Sequence, residues 1–381
     1  MEPGVRMTSI FITRAVRLLC CAVALVWLAP GPSRAADIAA KKALNLYIWS
    51  DYLAPDTLAN FTKRTGVAVN MDVFDSSEML EAKLLAGGSG YDVIVPNGPV
   101  LRRLIQAGVV RPLDKTKLRN IATQDPAITT GAAGLDPGNA HGVVYMWGTS
   151  GIGYNVAKVR AALGPNAPLD SWNLLFDPAN AAKLAKCGIY VFDSQSDIFE
   201  VTLNFLGLDP HSATPADYDK AAELWKKIRP FVSKFHNSEY ISALANGDIC
   251  VAMGFSGDVF QARDRAAEAK KGVTIAYSIP KEGTVMWSDF MAIPQDAPHA
   301  DAAYAFLDYI LDPKVIGPIT NKVFYANANA QAGPYIDAEI RKDRTVYPDA
   351  GTMKKLFAEM TPAPEIERLR TRIWNRIKAG N

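Results

Sequence analysis

Histidine and cysteine are scarce in this chain of 381 residues, and neither forms a constellation. His141, His211, His236 and His299 are scattered with no i, i+4 pair, and there are no clustered cysteine ligands, so neither zinc nor any other metal or cofactor is expected. A charge excess is also missing: 41 basic residues face 39 acidic ones, and no basic block stands out. Nucleic acid is therefore not an expected partner, since phosphate binding needs a clustered basic surface. Beyond the N-terminal segment no stretch reaches the roughly 20 apolar residues of a membrane span, so the mature chain should have none. Internal repeats and low-complexity segments are absent as well.

The N-terminus reads as a targeting segment. Arg14 and Arg17 precede the apolar run 18–29, and Ser33-Arg34-Ala35 supplies small residues at both positions a signal peptidase reads. Residues 1–35 are expected to be a cleaved secretory signal. Cys20 and Cys21 lie within it without the small residues that precede a lipid-modified cysteine, so no lipid anchor is expected. Removing Arg6, Arg14, Arg17, Arg34 and Glu2 leaves the mature chain near neutral. Only Cys187 and Cys250 then remain, and in an exported chain two cysteines are expected to pair as a disulfide.

The length exceeds what one core usually serves, so two lobes are expected, and 49% hydrophobic residues suffice to bury both. Leu44, Leu46 and Ile48 alternate with Asn45, Tyr47 and Trp49 as a strand, and Pro55-Asp56-Thr57 opens a helix that ends before Gly66. A second strand around 67–73, a helix from Ser77, a strand over 91–96 and a helix over 100–107 complete a β-α-β-α-β-α rhythm. That rhythm predicts an α/β fold with doubly wound sheets. Residues 143–147 read as a strand running into Gly148-Thr149-Ser150-Gly151-Ile152-Gly153, whose glycines suggest a hinge through their permissive backbone angles. Their spacing fits neither a nucleophile elbow nor a dinucleotide loop. Strands over 187–192 and 248–253 and helices from Ile198, Pro215, Tyr240 and Asp258 build a second lobe, and Val273 onward is expected to return to the first.

Open α/β sheets bind ligands at the carboxyl edge of their strands. Trp49-Ser50-Asp51-Tyr52 and Asn97 lie at such tips, as do Asp197, Phe255 with Asp258, and Trp287 with Asp289; Tyr325 stands in a polar turn. No arginine or lysine occurs within these motifs. Carboxylates that leave water together raise one another's pKa, and a multiply charged cation removes that cost. Aromatic faces attract ammonium groups by roughly 0.5–2 kcal/mol and shelter methylenes. Aliphatic polyamines, charged at the ends and apolar between, match both features.

YIWSDYLAPDTL (47–58), GYDVIVP (90–96), YMWGTSGIGYNV (145–156), LANGDICVAMGFSGDV (244–259), SIPKEG (278–283) and VFYANAN (323–329) resemble the periplasmic polyamine-binding proteins of ABC importers, most closely the putrescine-binding branch. The resemblance covers nearly all of the mature chain. It implies a type II periplasmic-binding fold with two α/β lobes, a hinge and an interlobe cleft: 36–147 with 272–337 as one lobe, 148–271 with 338–381 as the other. It implies a monomer that binds a polyamine and meets ABC permease subunits. The implied pocket takes Trp49, Ser50, Asp51, Tyr52, Asn97, Trp287, Asp289 and Tyr325 from the first lobe, and Asp197, Asn237, Phe255 and Asp258 from the second. Arg265 is implied to hold a carboxylate in place, Asp258 to take one terminal amine, and Asp289 with Asp197 the other. The putrescine branch usually has Glu at 197, Trp at 255 and Phe-Phe at 287–288, and Trp287 is more similar to spermidine-binding relatives, so the preferred chain length stays open. Two further readings share the pocket: an amine-sensing receptor subunit, and an exported hydrolase with paired aspartates. The scattered histidines and the resemblance favour a binder.

Overall fold

The computed structural model describes residues 43–380, so the expected signal segment lies outside the described residues. Among the described residues, no helix is long and apolar enough to cross a membrane. The alternating segment at the start forms β1 (Ala43–Trp49), and the helix Thr57–Thr65 follows. Gly66 ends that helix at φ 73°, a left-handed position that glycine adopts without steric cost. Next come β2 (Ala68–Phe74), the helix Ser77–Leu85 capped by the Ser76 hydroxyl, β3 (Val93–Ile94) and the helix Gly98–Gln106. β1 pairs in parallel with both β2 and β3.

The second half repeats this arrangement. β5 (Ile189–Val191) pairs in parallel with β6 (Lys234–Phe235) and β7 (Val251–Phe255). In chain order each half thus places its first strand between its second and third, as βαβ crossovers favour. β4 (Gly142–Asn155) joins the two halves and is buried along its whole length. Its residues Gly142–Thr149 pair antiparallel with β9 (Thr284–Ala292), while Ser150–Tyr154 pair antiparallel with β7. The short β10 (Ala326–Asn327) pairs with β4 at Met146 and Trp147, and β11 (Leu356–Ala358) pairs in parallel with the start of β9.

Two expectations need correction. β8 (Ile275–Ser278), expected to start the return to the first lobe, pairs with Ile152–Asn155 of β4 and so stays in the second half; the return falls between Ser278 and Met286. The glycines of β4 are not there for unusual torsions, because Gly148, Gly151 and Gly153 all avoid positive φ. They are there for close approach. A Cβ on Gly148 would lie 2.5 Å from Trp287 Cζ2, and one on Gly151 would lie 2.6 Å from the Ser278 carbonyl oxygen.

Cys187 and Cys250 form a disulfide with Cα atoms 5.4 Å apart. They lie just before β5 and β7, whose Ile189 and Val251 are register partners, so the bridge ties the entry ends of two adjacent strands. The candidate site residues gather toward the other ends.

Candidate functional site

Between the two halves lies a cleft that encloses a cavity of about 110 Å³. Trp49, Ser50, Asp51 and Tyr52 reach it from the end of β1, Asn97 from the end of β3, Trp287 and Asp289 from β9, and Tyr325 from just before β10. Asp197, Asn237, Phe255 and Asp258 enter from the other half. Asp197 and Asp258, expected at strand tips, instead occupy the first turns of the helices Gln195–Phe205 and Ser256–Ala269. The shift has a simple cause: each helix starts within a few residues of its strand end, so the tip and the first turn are nearly one place. The partial positive charge of a helix N-terminus favours acids there.

Aromatic rings form a connected wall. Tyr52 meets Tyr325 edge-on at 5.4 Å between centroids, Tyr325 meets Trp287 at 5.0 Å, and Trp287 meets Phe255 at 5.8 Å. Phe255 is in turn stacked on Phe192 at 4.9 Å, which fixes its plane. Trp49 rests on Phe74 at 4.4 Å.

Three carboxyls face this wall, Asp197 and Asp289 buried and Asp258 partly buried, and hydroxyls alone hold their side chains. Tyr52 donates to Asp289 at 2.7 Å. Tyr240 and Tyr325 donate to the two oxygens of Asp258, each at 2.6 Å, and Ser150 and Ser194 donate to those of Asp197, each at 2.5 Å. Among the described residues none of the three forms an ion pair. Burial pushes the Asp258 carboxyl up to about 6, against the two tyrosine hydrogen bonds that pull it down. Burial pushes Asp289 to about 8, with the charges of Asp197 and Asp258 adding to the rise and the Tyr52 hydrogen bond opposing it. Asp197 is raised by burial too, while its two serines hold it back. A site of this kind stabilises positive charge that comes from outside the protein.

The rim is different, for it has its own partners. Asp51, at φ 55°, pairs with Arg265 at 2.9 Å across the cleft mouth. Arg265 thus holds a carboxylate, but it stands behind Asp51 and is not among the residues lining the cavity. Asn237 accepts from the Asp193 backbone and donates to the Asp75 carbonyl at 2.9 Å, a second tie across the mouth. Ser50 donates to Asp75, and Asn97 caps the helix Gly98–Gln106 through the Val100 N–H. No histidine lines the cavity.

Several participants escaped the sequence reading. Ser150, Ser194 and Tyr240 are the hydroxyls that hold the acids, and Glu359, just after β11, is a further buried carboxyl on the wall. Ser194 stands three positions before Asp197, so a search for donors beside that acid would have found it; Ser150, 47 positions away, reaches Asp197 only in the folded chain. Glu359 has no local signal, since only the pairing of β11 with β9 brings it in.

The model of the bacterial extracellular solute-binding protein family matches residues 56–346. The chain is 50% identical over 343 residues to the putrescine-binding periplasmic protein PotF of Escherichia coli K12, covering 90% of this chain and 93% of that one. It is 49% identical to the putrescine-binding periplasmic protein SpuD of Pseudomonas aeruginosa, covering 92% and 95%. Among solved structures, the spermidine/putrescine ABC transporter substrate-binding protein PotD of Streptococcus pneumoniae superposes with a TM-score of 0.73 at 27% identity, over 89% of this chain and 99% of that one.

Proposed function

The chain belongs to the bacterial extracellular solute-binding proteins, and from that premise we propose that it captures a small linear polyamine and delivers it to the permease of an ABC importer. The observation that carries this reading is the set of three carboxyls, Asp197 and Asp289 buried and Asp258 partly buried, held only by hydroxyls beside a wall of aromatic rings.

When the halves are apart, water solvates the acids. Closing removes that water, and the carboxyls either take up protons or meet a cation. A protonated amine at each end of a short chain makes closure favourable, because its charged N–H groups complete acceptors that hydroxyls satisfy only in part. Between the ends, the methylenes pack on Trp287, Phe255 and Tyr325. Asp258 receives one ammonium; Asp289 and Asp197, whose charges act on each other, receive the other. β4 and the Ser278–Met286 return are the two passages between halves about which closure turns. The ligand moves the balance because it touches both halves only when they are closed.

The protein acts as a periplasmic binder without a chemical step. Titration calorimetry with putrescine, cadaverine, spermidine and agmatine tests this reading: one saturable site per chain and unchanged amine are expected. Absence of heat and of competition with all four, or consumption of the amine, refutes it.

A further inference from the structure

β2 is the end strand of the sheet, and among the described residues no strand pairs with its outer side. Its register with β1 fixes which backbone groups are left over. Trp49 is the register partner of Phe74, and the Ser50 N–H donates to the Phe74 carbonyl at 3.3 Å. Backbone groups point to alternate sides along a strand, so those of Asn70, Asp72 and Phe74 face β1, while those of Val69, Met71 and Val73 face outward unmatched. The side chains of these three residues are apolar, and Met71 and Val73 stand 46% and 50% exposed.

Natural sheets guard such an edge with lysine, proline, a bulge or a covering segment. β2 has none of these: its sequence is AVNMDVF, its register with β1 runs unbroken, and residues 70–73 are all exposed. Its only charge, Asp72, accepts from the Tyr91 hydroxyl at 2.8 Å, and Asn70 donates to Asn45 Oδ1 at 2.9 Å.

The strand is also complementary to itself. About a twofold axis through Met71 the whole of β2 overlaps an antiparallel copy, because Met71 is its middle residue. Met71 then meets its own copy and Val69 meets the second copy's Val73, and each such pair exchanges N–H and C=O groups. On the other face Asn70 falls opposite the second copy's Asp72, an amide beside a carboxylate, and both retain hydrogen-bonding capacity beyond their bonds within the chain. An axis through Asp72 would instead set like charges face to face, which is destabilising.

We propose that β2 pairs antiparallel with β2 of a second copy of this chain about an axis through Met71, running the two sheets into one. A reversible dimer thus replaces the monomer that the resemblance implies. One strand pair buries less than about 1,200 Å², so the association is weak. It is independent of the amine reading, since none of residues 68–74 lines the cleft.

The test is sedimentation equilibrium of the mature chain over a range of concentrations, with and without saturating putrescine. The expected result is a monomer–dimer equilibrium whose dissociation constant rises at least tenfold in Met71→Lys, where two ammonium groups meet at the axis. The residue opposite Asp72 reports the register: Asn70→Asp should weaken the dimer and Asn70→Lys strengthen it, each by at least about twofold. A chain that stays monomeric up to about 1 mM overturns the inference and leaves the edge to a strand of another protein. So does a dimer that Met71→Lys leaves intact, or one that both residue-70 variants shift in the same direction. Should Met71→Lys fail to fold, the residue-70 pair decides alone.

Discussion

Asp289→Asn removes a single ionisable group from the middle of the cleft while leaving an oxygen to accept the Tyr52 hydroxyl. Burial lifts this carboxyl from the ordinary 3.8 to about 8 in the folded chain. Between those values the unfolded chain has lost the proton and the folded chain has kept it. The folded state then binds more protons, so stability falls as pH rises, by about 1.4 kcal/mol per pH unit for this group. The penalty is absent below 3.8 and complete above about 8. The asparagine variant does not incur it. Urea melts of the ligand-free chain held closed by a cross-link between its halves, at successive pH values, should therefore show the variant gaining on the wild type, from about 2 kcal/mol at pH 5 to about 5 kcal/mol at pH 8, and level thereafter. The slope with pH is the diagnostic, because any packing cost of the amide is constant. Binding should move the other way: losing one member of a buried charge pair costs about 2 kcal/mol or more, a factor of roughly 30 or greater in putrescine or spermidine affinity. A stability gap that does not widen with pH, or an affinity left unchanged, refutes the idea that Asp289 waits for an external cation.

Gly148→Ala places a methyl 2.5 Å from Trp287 Cζ2 and 2.9 Å from Ser256 Oγ, so the indole has to shift, which disturbs its edge contacts with Phe255 and Tyr325. Overpacking of this kind costs about 1–3 kcal/mol, and amine affinity measured by calorimetry should fall roughly tenfold or more; an unchanged affinity would show that the indole face is not part of the wall. The Cys187–Cys250 bridge closes a loop of 63 residues, and its removal in a double serine variant should lower stability by about 3–4 kcal/mol in urea melts. Neither cysteine lines the cleft, so that variant should still bind putrescine below its melting temperature, and a loss of binding by folded protein would contradict this separation.

Much of the architecture could be read from local patterns. The alternation at Leu44, Leu46 and Ile48, the serine cap ahead of Met79 and the left-handed Gly66 all act within a few residues, and these signals survive in the folded chain. Trp49, Asp51, Tyr52, Phe255 and Asp258 could be named for the same reason, as each sits in a short motif at the end or start of an element. Their electrostatic state could not. Tyr52 and Asp289 are 237 positions apart, and Asp51 and Arg265 are 214 apart, yet these pairings separate an acid held only by a hydroxyl from one that an arginine neutralises.

Composition shows a near balance of charge, and it is silent on which charges end without a partner. Glu359 carries no motif and enters the cleft through a three-residue strand pairing, and the β4 glycines serve packing against Trp287 and Tyr277, visible only once those side chains are in place. Propensity and patterning are short-range properties of the chain. Burial, repulsion between acids and the room left beside them arise from atoms far apart in sequence, so only the assembled fold decides them.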